Sequence, residues 1–170
     1  MIDLYAAKTG NGLRACVAMS ECALEHTVHP VDLSTGEHKT PEFLKMNPLG
    51  SIPVMIDHDG GGGKPLTLCQ SAAIVLYAAE KSGKFLPDAG QERALALQWF
   101  MLAASDVAGT NNAIYVSTIL VPEKVSATIE VFEDRLYGFF CAADESLGHA
   151  NYLAGDVSVA DLALYPFVAL

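Results

Sequence analysis

Hydrophobic positions along this chain change their period several times, and each change marks an element. Residues 2–7 (IDLYAA) are apolar and strand-like. From Leu13 the period becomes helical: Leu13, Val17 and Leu24 recur, with Ala and Cys between them, up to about Ala23. The turn between reads Thr9-Gly10-Asn11-Gly12. Asn-Gly also suits a hairpin turn, but the residues that follow lack two-residue alternation, so the pattern predicts strand, turn, helix. HTVHPVDL (26–33) reads as a second strand, and TPEFLKMN (40–47) as a short helix with Thr40 as cap and Pro41 at its first position. IPVMID (52–57) and LTL (66–68) are strands joined by HDGGGGKP. QSAAIVLYAAEKSG (70–83) is a helix, apolar along one broad face and stopped by Gly83.

Beyond the Gly/Pro linker GKFLPD (83–88) the reading is helical throughout. QERALALQWFMLAASDVA (91–108) is long and apolar, and PEKVSATIEVFEDRLYGFFCAADESLG (122–148) carries a proline at its first turn. DVSVADLALYPFVAL (156–170) opens on Ser158-Val-Ala-Asp161, a capping box in its acidic variant. There the Ser158 hydroxyl is expected to take the Asp161 N–H, and the carboxylate to return to the Ser158 N–H. The order β-α-β-α-β-β-α followed by helices alone predicts an α/β domain over residues 1–82 and an all-α domain over residues 83–170.

Composition adds limits. Of 170 residues, 51% are hydrophobic and 18% charged, an ordinary globular balance with enough chain for a sizeable core. The net charge is -10, and the second half is the more acidic. Such a surface repels phosphate backbones, so no nucleic-acid partner is expected. A small anion can bind only where local donors outweigh the overall field. Cys16, Cys22, Cys69 and Cys141 show neither CxxC spacing nor His partners at zinc-finger intervals. They read as buried free thiols of a reducing compartment, and no metal is expected. The N-terminus lacks the pattern of a signal peptide, and no apolar run reaches the roughly 18 residues that span a bilayer. A cytoplasmic protein without a membrane partner is expected. The four glycines do not form a phosphate loop, because Lys64 is followed by Pro65 and no helix starts there.

Two places hold candidate chemistry. Pro53 at the start of a strand gives up a ladder donor, so it belongs at an edge or at a special bond. Gln70-Ser71 opens a helix, where free N–H groups and the positive end of the helix dipole favour an anion. A Ser hydroxyl and a Gln amide suit a carboxylate and an α-amino group; as helix caps alone, they would need no ligand.

With NPLGSIPVMIDHD, LTLCQSAAIVLYAAEKSGKFLP and YLAGDVSVADLALYPFVA on view, the chain resembles a cytosolic glutathione transferase along nearly its entire length. MIDLYAAKTGNG and VDLSTGEHKTPEFLKMNP are most similar to the bacterial nu class and its fungal relatives of the prion-regulator type, which carry a Thr-x-Asn-Gly turn where other classes use Tyr, Ser or Cys. The resemblance implies an α/β thioredoxin-like N-terminal domain, a cis Ile52-Pro53 bond, an all-α helical C-terminal domain, and a homodimer. It also implies that the reactive thiol comes from glutathione, as substrate or cosubstrate. Carried over by position, the Ile52 backbone before Pro53 would pair with the cysteinyl backbone of the tripeptide. Gln70 and Ser71 would hold its γ-glutamyl end, and His38 would face its glycyl end. Thr9 and Asn11 would lie beside the sulfur and act as the catalytic pair. Cys16 is a rival nucleophile, but it stands beyond the first turn of its helix, where N–H groups are no longer free.

Departures accompany the resemblance. Ser51 stands where many relatives have a lysine that contacts the glycyl carboxylate, and Lys39 is the candidate to replace it. Thr128 falls near the point where nu-class proteins place an arginine. The segment AGTNNAIYVSTILVPEKV names no second substrate. Family members usually continue for several helices past SVADLALYPFVA, so Leu164, Phe167 and Leu170 are expected to be exposed unless another segment or subunit covers them. Glutathione conjugation to an electrophile and glutathione-dependent disulfide reduction are both expected activities. A non-catalytic binding or regulatory protein is the alternative.

Overall fold

The computed structural model describes residues 1–169. Contacts divide the chain into two compact units, Met1–Leu86 with Val168 and Ala169, and Pro87–Phe167. In the first unit the sheet order is β2-β1-β3-β4, with β1 Ile2–Ala6, β2 His26–Pro30, β3 Val54–Asp57 and β4 Leu66–Cys69. β1 runs parallel to β2, and β3 runs antiparallel to both β1 and β4. α1 Gly10–Glu21 crosses between β1 and β2, α2 Pro41–Met46 follows a 3-10 turn at Glu37–Lys39, and α3 Ser71–Ser82 closes the unit. This is the thioredoxin-like arrangement.

α1 packs along α3 because the facing residues are small or slender. Ala15, Ala18 and Met19 on α1 and Ile74, Val75, Ala78 and Ala79 on α3 are buried to 1% exposure or less. Apolar burial of this kind contributes about 25 cal/mol per Å². Ile2, Leu4 and Ala6 alternate inward along β1, while Tyr5 points to the other face and packs on the Val31, Phe43 and Val54 cluster. Thr40 caps α2 by accepting the Phe43 N–H, with Pro41 at the first position, and Gly83 ends α3 in the left-handed region at φ 68°.

α1 starts earlier than its hydrophobic period indicates: the helix begins at Gly10, not near Leu13. Thr9 causes this. Its hydroxyl oxygen accepts the Gly12 N–H at 3.1 Å, and Gly12 lies so close to β1 that a Cβ there would stand 2.1 Å from the Ala7 carbonyl oxygen.

The second unit is helical. α4 Gly90–Met101 passes through a π-helical stretch, Leu102–Val107, into α5 Ala108–Tyr115 and a second π-helical stretch, Val116–Leu120. α6 is Ser126–Leu147 and α7 Val159–Val168. α6 therefore begins four residues after the expected Pro122. Val121, which precedes that proline, is extended at φ -75°, ψ 134°, the conformation a following proline imposes, and regular helix resumes only at Ser126. The capping box is also rearranged. The Asp161 carboxylate accepts the Ser158 N–H at 2.9 Å as expected, but the Ser158 hydroxyl oxygen takes the Ala160 N–H at 3.3 Å, not that of Asp161. Asp161 Oδ1 additionally accepts the Leu153 N–H at 3.0 Å.

Two burial expectations need correction. Leu164 is buried and Phe167 half-buried, because the inward face of α7 takes Leu164 with Ala160 and Ala163; Leu170 lies outside the described residues. Of the four free cysteines, Cys22 is buried and Cys16 and Cys69 half-buried, but Cys141 is exposed, on the outer side of α6. Among the described residues, no helix is long and apolar enough to cross a membrane, and no group of His, Cys, Asp or Glu could hold a metal ion.

A buried ionic cluster joins β3 to α3. Asp57 is 1% exposed and accepts the Tyr77 O–H at 2.6 Å, the Lys81 ammonium at 2.7 Å and the Asp59 N–H at 2.9 Å. Burial pushes its carboxyl up, but the bonds from Lys81, Tyr77 and Asp59 outweigh it and hold the group at about 2. A folded-state value below the unfolded one stabilises the protein above the ordinary carboxylate range, and that stabilisation is lost as pH falls from about 4 toward 2. Asp57→Asn is expected to lower the unfolding free energy at pH 7 by about 2 kcal/mol. In urea denaturation series the gap to the parent protein should close as the pH falls toward 2.

Candidate functional site

The antiparallel pairing of β3 with both neighbours decides where the chemistry lies. Tyr5 pairs with Val54, and Val54 pairs with Cys69. The end of β1, the start of β3 and the end of β4 therefore meet at one end of the sheet. The segments that leave them are the Thr9–Gly12 turn, Ile52-Pro53 and Gln70-Ser71.

The Ile52-Pro53 bond is cis. Pro53 is buried and Ile52 half-buried against the Val31, Phe43 and Val54 cluster. Among the described residues, no hydrogen bond uses the Ile52 N–H or C=O. Gln70, the residue before α3, holds φ 74°, ψ 113°, a left-handed conformation rare outside glycine. Its carbonyl accepts the Ile74 N–H, so it enters the helix while its side chain forms no cap. Non-glycine residues in such regions persist only where their surroundings fix them, and they cluster at ligand sites.

The starts of α1 and α3 are bonded to each other. The Ser71 hydroxyl donates to Asn11 Oδ1 at 2.9 Å and accepts from Arg14 Nη1 at 3.3 Å. Neither helix carries an acidic residue in its first turn. Two positive helix ends and a guanidinium therefore share one corner of an acidic protein, and desolvation there lowers Arg14 to about 10. Asn11 is exposed, and among the described residues no hydrogen bond uses its Nδ2. The Thr9 oxygen is committed to the α1 cap, which leaves its O–H proton to donate elsewhere.

On the other side of Pro53, Asn47 braces the approach. It is 2% exposed; its Nδ2 donates to the Ser51 carbonyl and hydroxyl oxygens at 2.7 and 3.0 Å, and its Oδ1 accepts the Leu49 N–H at 3.1 Å. Lys39 Nζ donates to the Leu49 and Gly50 carbonyls at 3.3 and 2.6 Å, which ties the 3-10 turn to the same loop. Gly50, at φ 55°, has no room for a Cβ: one would stand 2.9 Å from the His38 carbonyl oxygen. His38 Nδ1 is buried without a hydrogen-bond partner among the described residues.

Thr9, Asn11, Gln70 and Ser71 thus come together with the Ile52-Pro53 bond. His38, Lys39 and Ser51 meet around the loop that leads into it. Arg14 and Asn47 were not singled out by sequence reasoning. Arg14 carried no usable signal, since a cation on a helix reads as solvent-facing. Asn47 did have one, as a C-terminal Asn immediately before Pro48.

Residues 11–81 match the glutathione S-transferase N-terminal domain family. Over 170 residues the chain is 34% identical to the disulfide-bond oxidoreductase YfcG of Escherichia coli (strain K12), an alignment covering 99% of this chain and 79% of that protein. Over 181 residues it is 30% identical to glutathione S-transferase F9 of Arabidopsis thaliana, covering 98% of this chain and 79% of the relative. The chain belongs to the glutathione S-transferase family. A glutathione transferase family member from Pseudomonas fluorescens pf-5, solved with two glutathione bound, superposes with a TM-score of 0.92 at 27% identity over 99% of this chain and 75% of the other. The resemblance read from the motifs and the two-part architecture it implied are both met.

For a glutathione S-transferase, the burial of its own thiols matters. Cys16 lies inside α1, and burial pushes its thiol above the ordinary value, so it is a poor nucleophile. Under mild alkylation at neutral pH, Cys141 is expected to be modified first and Cys16 much more slowly, as read by mass spectrometry of tryptic peptides.

Proposed function

We propose that this glutathione transferase binds glutathione in its first unit, against Ile52-Pro53 and the starts of α1 and α3, and that the thiolate of the bound tripeptide is its nucleophile. The observation that carries this reading is the bonded pair of helix starts beside Ile52-Pro53, where unused donors converge and neither helix has an acidic residue in its first turn.

The Ile52 N–H and C=O, unused among the described residues, suit antiparallel pairing with the cysteinyl backbone. The first N–H groups of α3, with Gln70 and Ser71, suit the γ-glutamyl carboxylate. Since the Ser71 hydroxyl is engaged by Asn11 and Arg14, its backbone N–H is the freer donor. The Lys39 ammonium and His38 Nδ1, unpartnered among the described residues, suit the glycyl carboxylate beside Ser51. Thr9 O–H and Asn11 Nδ2 then face the sulfur.

A free thiol with pKa of about 8.5 is only about 3% ionised at pH 7. Lowering it by about 2 units takes about 2.7 kcal/mol of preferential stabilisation of the thiolate. Hydrogen bonds to a charged group contribute about 1.5–3 kcal/mol each, so one or two donors at a helix start suffice. The thiolate can attack an electrophilic carbon, forming a C–S bond as the leaving group departs with its electron pair. It can equally attack a disulfide, forming a mixed disulfide and releasing one thiolate. A second glutathione then resolves the mixed disulfide to glutathione disulfide and releases the other thiolate. The similarity to the bacterial disulfide-bond oxidoreductase supports disulfide reduction as at least an equal activity. Family membership supports a cytoplasmic homodimer with a detoxifying role.

Replacing Asn11 and Thr9 together by Ala and Val is expected to raise the half-ionisation pH of bound glutathione by about 2 units. Absorbance of the thiolate during a pH titration checks this, and an unchanged titration refutes the assignment. Parallel assays with a chlorinated aromatic electrophile and with a small disulfide plus excess glutathione separate the two reactions; glutathione binding without turnover in either would overturn the enzymatic reading.

A further inference from the structure

Arg14 is a charged side chain with only 1% of its surface exposed, and the function proposed above gives it no contact with glutathione. It sits on α1, one turn beyond Asn11, and donates to the Ser71 oxygen, whose own proton goes to Asn11 Oδ1. A guanidinium can only donate, and a serine hydroxyl has a single proton. With Arg14 on one side of the Ser71 oxygen, that proton is directed to the other side, where it requires an acceptor. Asn11 meets the requirement only with its carbonyl oxygen turned toward Ser71, which leaves Nδ2 pointing away. The opposite amide orientation would face the hydroxyl with donors on both sides and remove the acceptor its proton now has.

We propose that Arg14 is a positioning residue: acting through Ser71, it fixes the Asn11 amide with its N–H groups outward, so the donor for the glutathione sulfur is set before the ligand arrives. The proposal rests on the reading that Asn11 stabilises the thiolate. Preorganised donors cost no reorientation when charge develops, and in a chain of hydrogen bonds the charged first member strengthens those that follow. A bare amide on an exposed helix start would divide its time between two orientations, one of which turns an oxygen lone pair toward the sulfur.

The test is the pH titration of bound glutathione in Arg14→Met, Arg14→Lys, Asn11→Ala and the Arg14→Met/Asn11→Ala double variant, at saturating glutathione. Arg14→Met is expected to raise the half-ionisation pH by about one unit, a tenfold loss of thiolate preference. Arg14→Lys, which keeps a donor on the Ser71 oxygen, should recover part of the shift. In the Asn11→Ala background, Arg14→Met should add no shift. The proposal fails if Arg14→Met leaves the titration where it was, or if it shifts the titration equally without Asn11, since the cation would then act directly as a charge. Should Arg14→Met not fold, Ser71→Ala removes the same link and is expected to give the same shift only when Asn11 is present; no shift overturns the proposal. If Asn11→Ala alone leaves the titration unmoved, the thiolate reading itself has failed; a clear Asn11 effect with a silent Arg14 defeats this inference alone.

Discussion

β3 lies between β1 and β4 and runs antiparallel to both, and the site follows from that pairing. Because strand directions reverse across β3, its first residues share a sheet end with the last residues of its two neighbours. Two helices then begin at that same end, each fed by the strand beside it, and their starts are close enough to bond through Ser71 and Asn11. The small residues on the facing sides of α1 and α3 let the two helices lie side by side, which keeps their positive ends together. The site proposed for an anion in a protein of net charge -10 thus draws mostly on backbone groups and neutral side chains at the two helix starts, with Arg14 buried beside them.

Much of this was legible in the sequence because local chemistry and pattern agreed. The apolar run of β1, the Gly/Asn turn, the proline opening β3 and the polar pair ahead of an apolar helix each mark a boundary. Their conjunction carried the family resemblance that the comparisons met. Thr40 and Pro41 marked the start of α2 through side-chain chemistry that needs no tertiary context.

What was not legible depended on long-range placement. Arg14 sits among Leu13, Ala15 and Cys16 in sequence, and nothing there reveals that its partner lies on another helix. The start of α1 was hidden because glycine and asparagine weaken helical period, while the Thr9 cap and the close approach of Gly12 to β1 restore the turn. Cys141 was expected inside because its neighbours Phe139, Phe140 and Ala142 are apolar, yet it faces out while Ala143 faces in. In α6 a proline at a plausible first turn misled, because extended backbone intervenes before Ser126.

Gly12 approaches the Ala7 carbonyl too closely for any Cβ. A backbone that tolerates no side chain at that point leaves only the neighbouring places free to be rewritten. New chemistry at the mouth of α1 would have to enter by exchange of Asn11, or of Thr9 for a residue that still caps the helix, so reactivity there can be retuned without redesigning the scaffold.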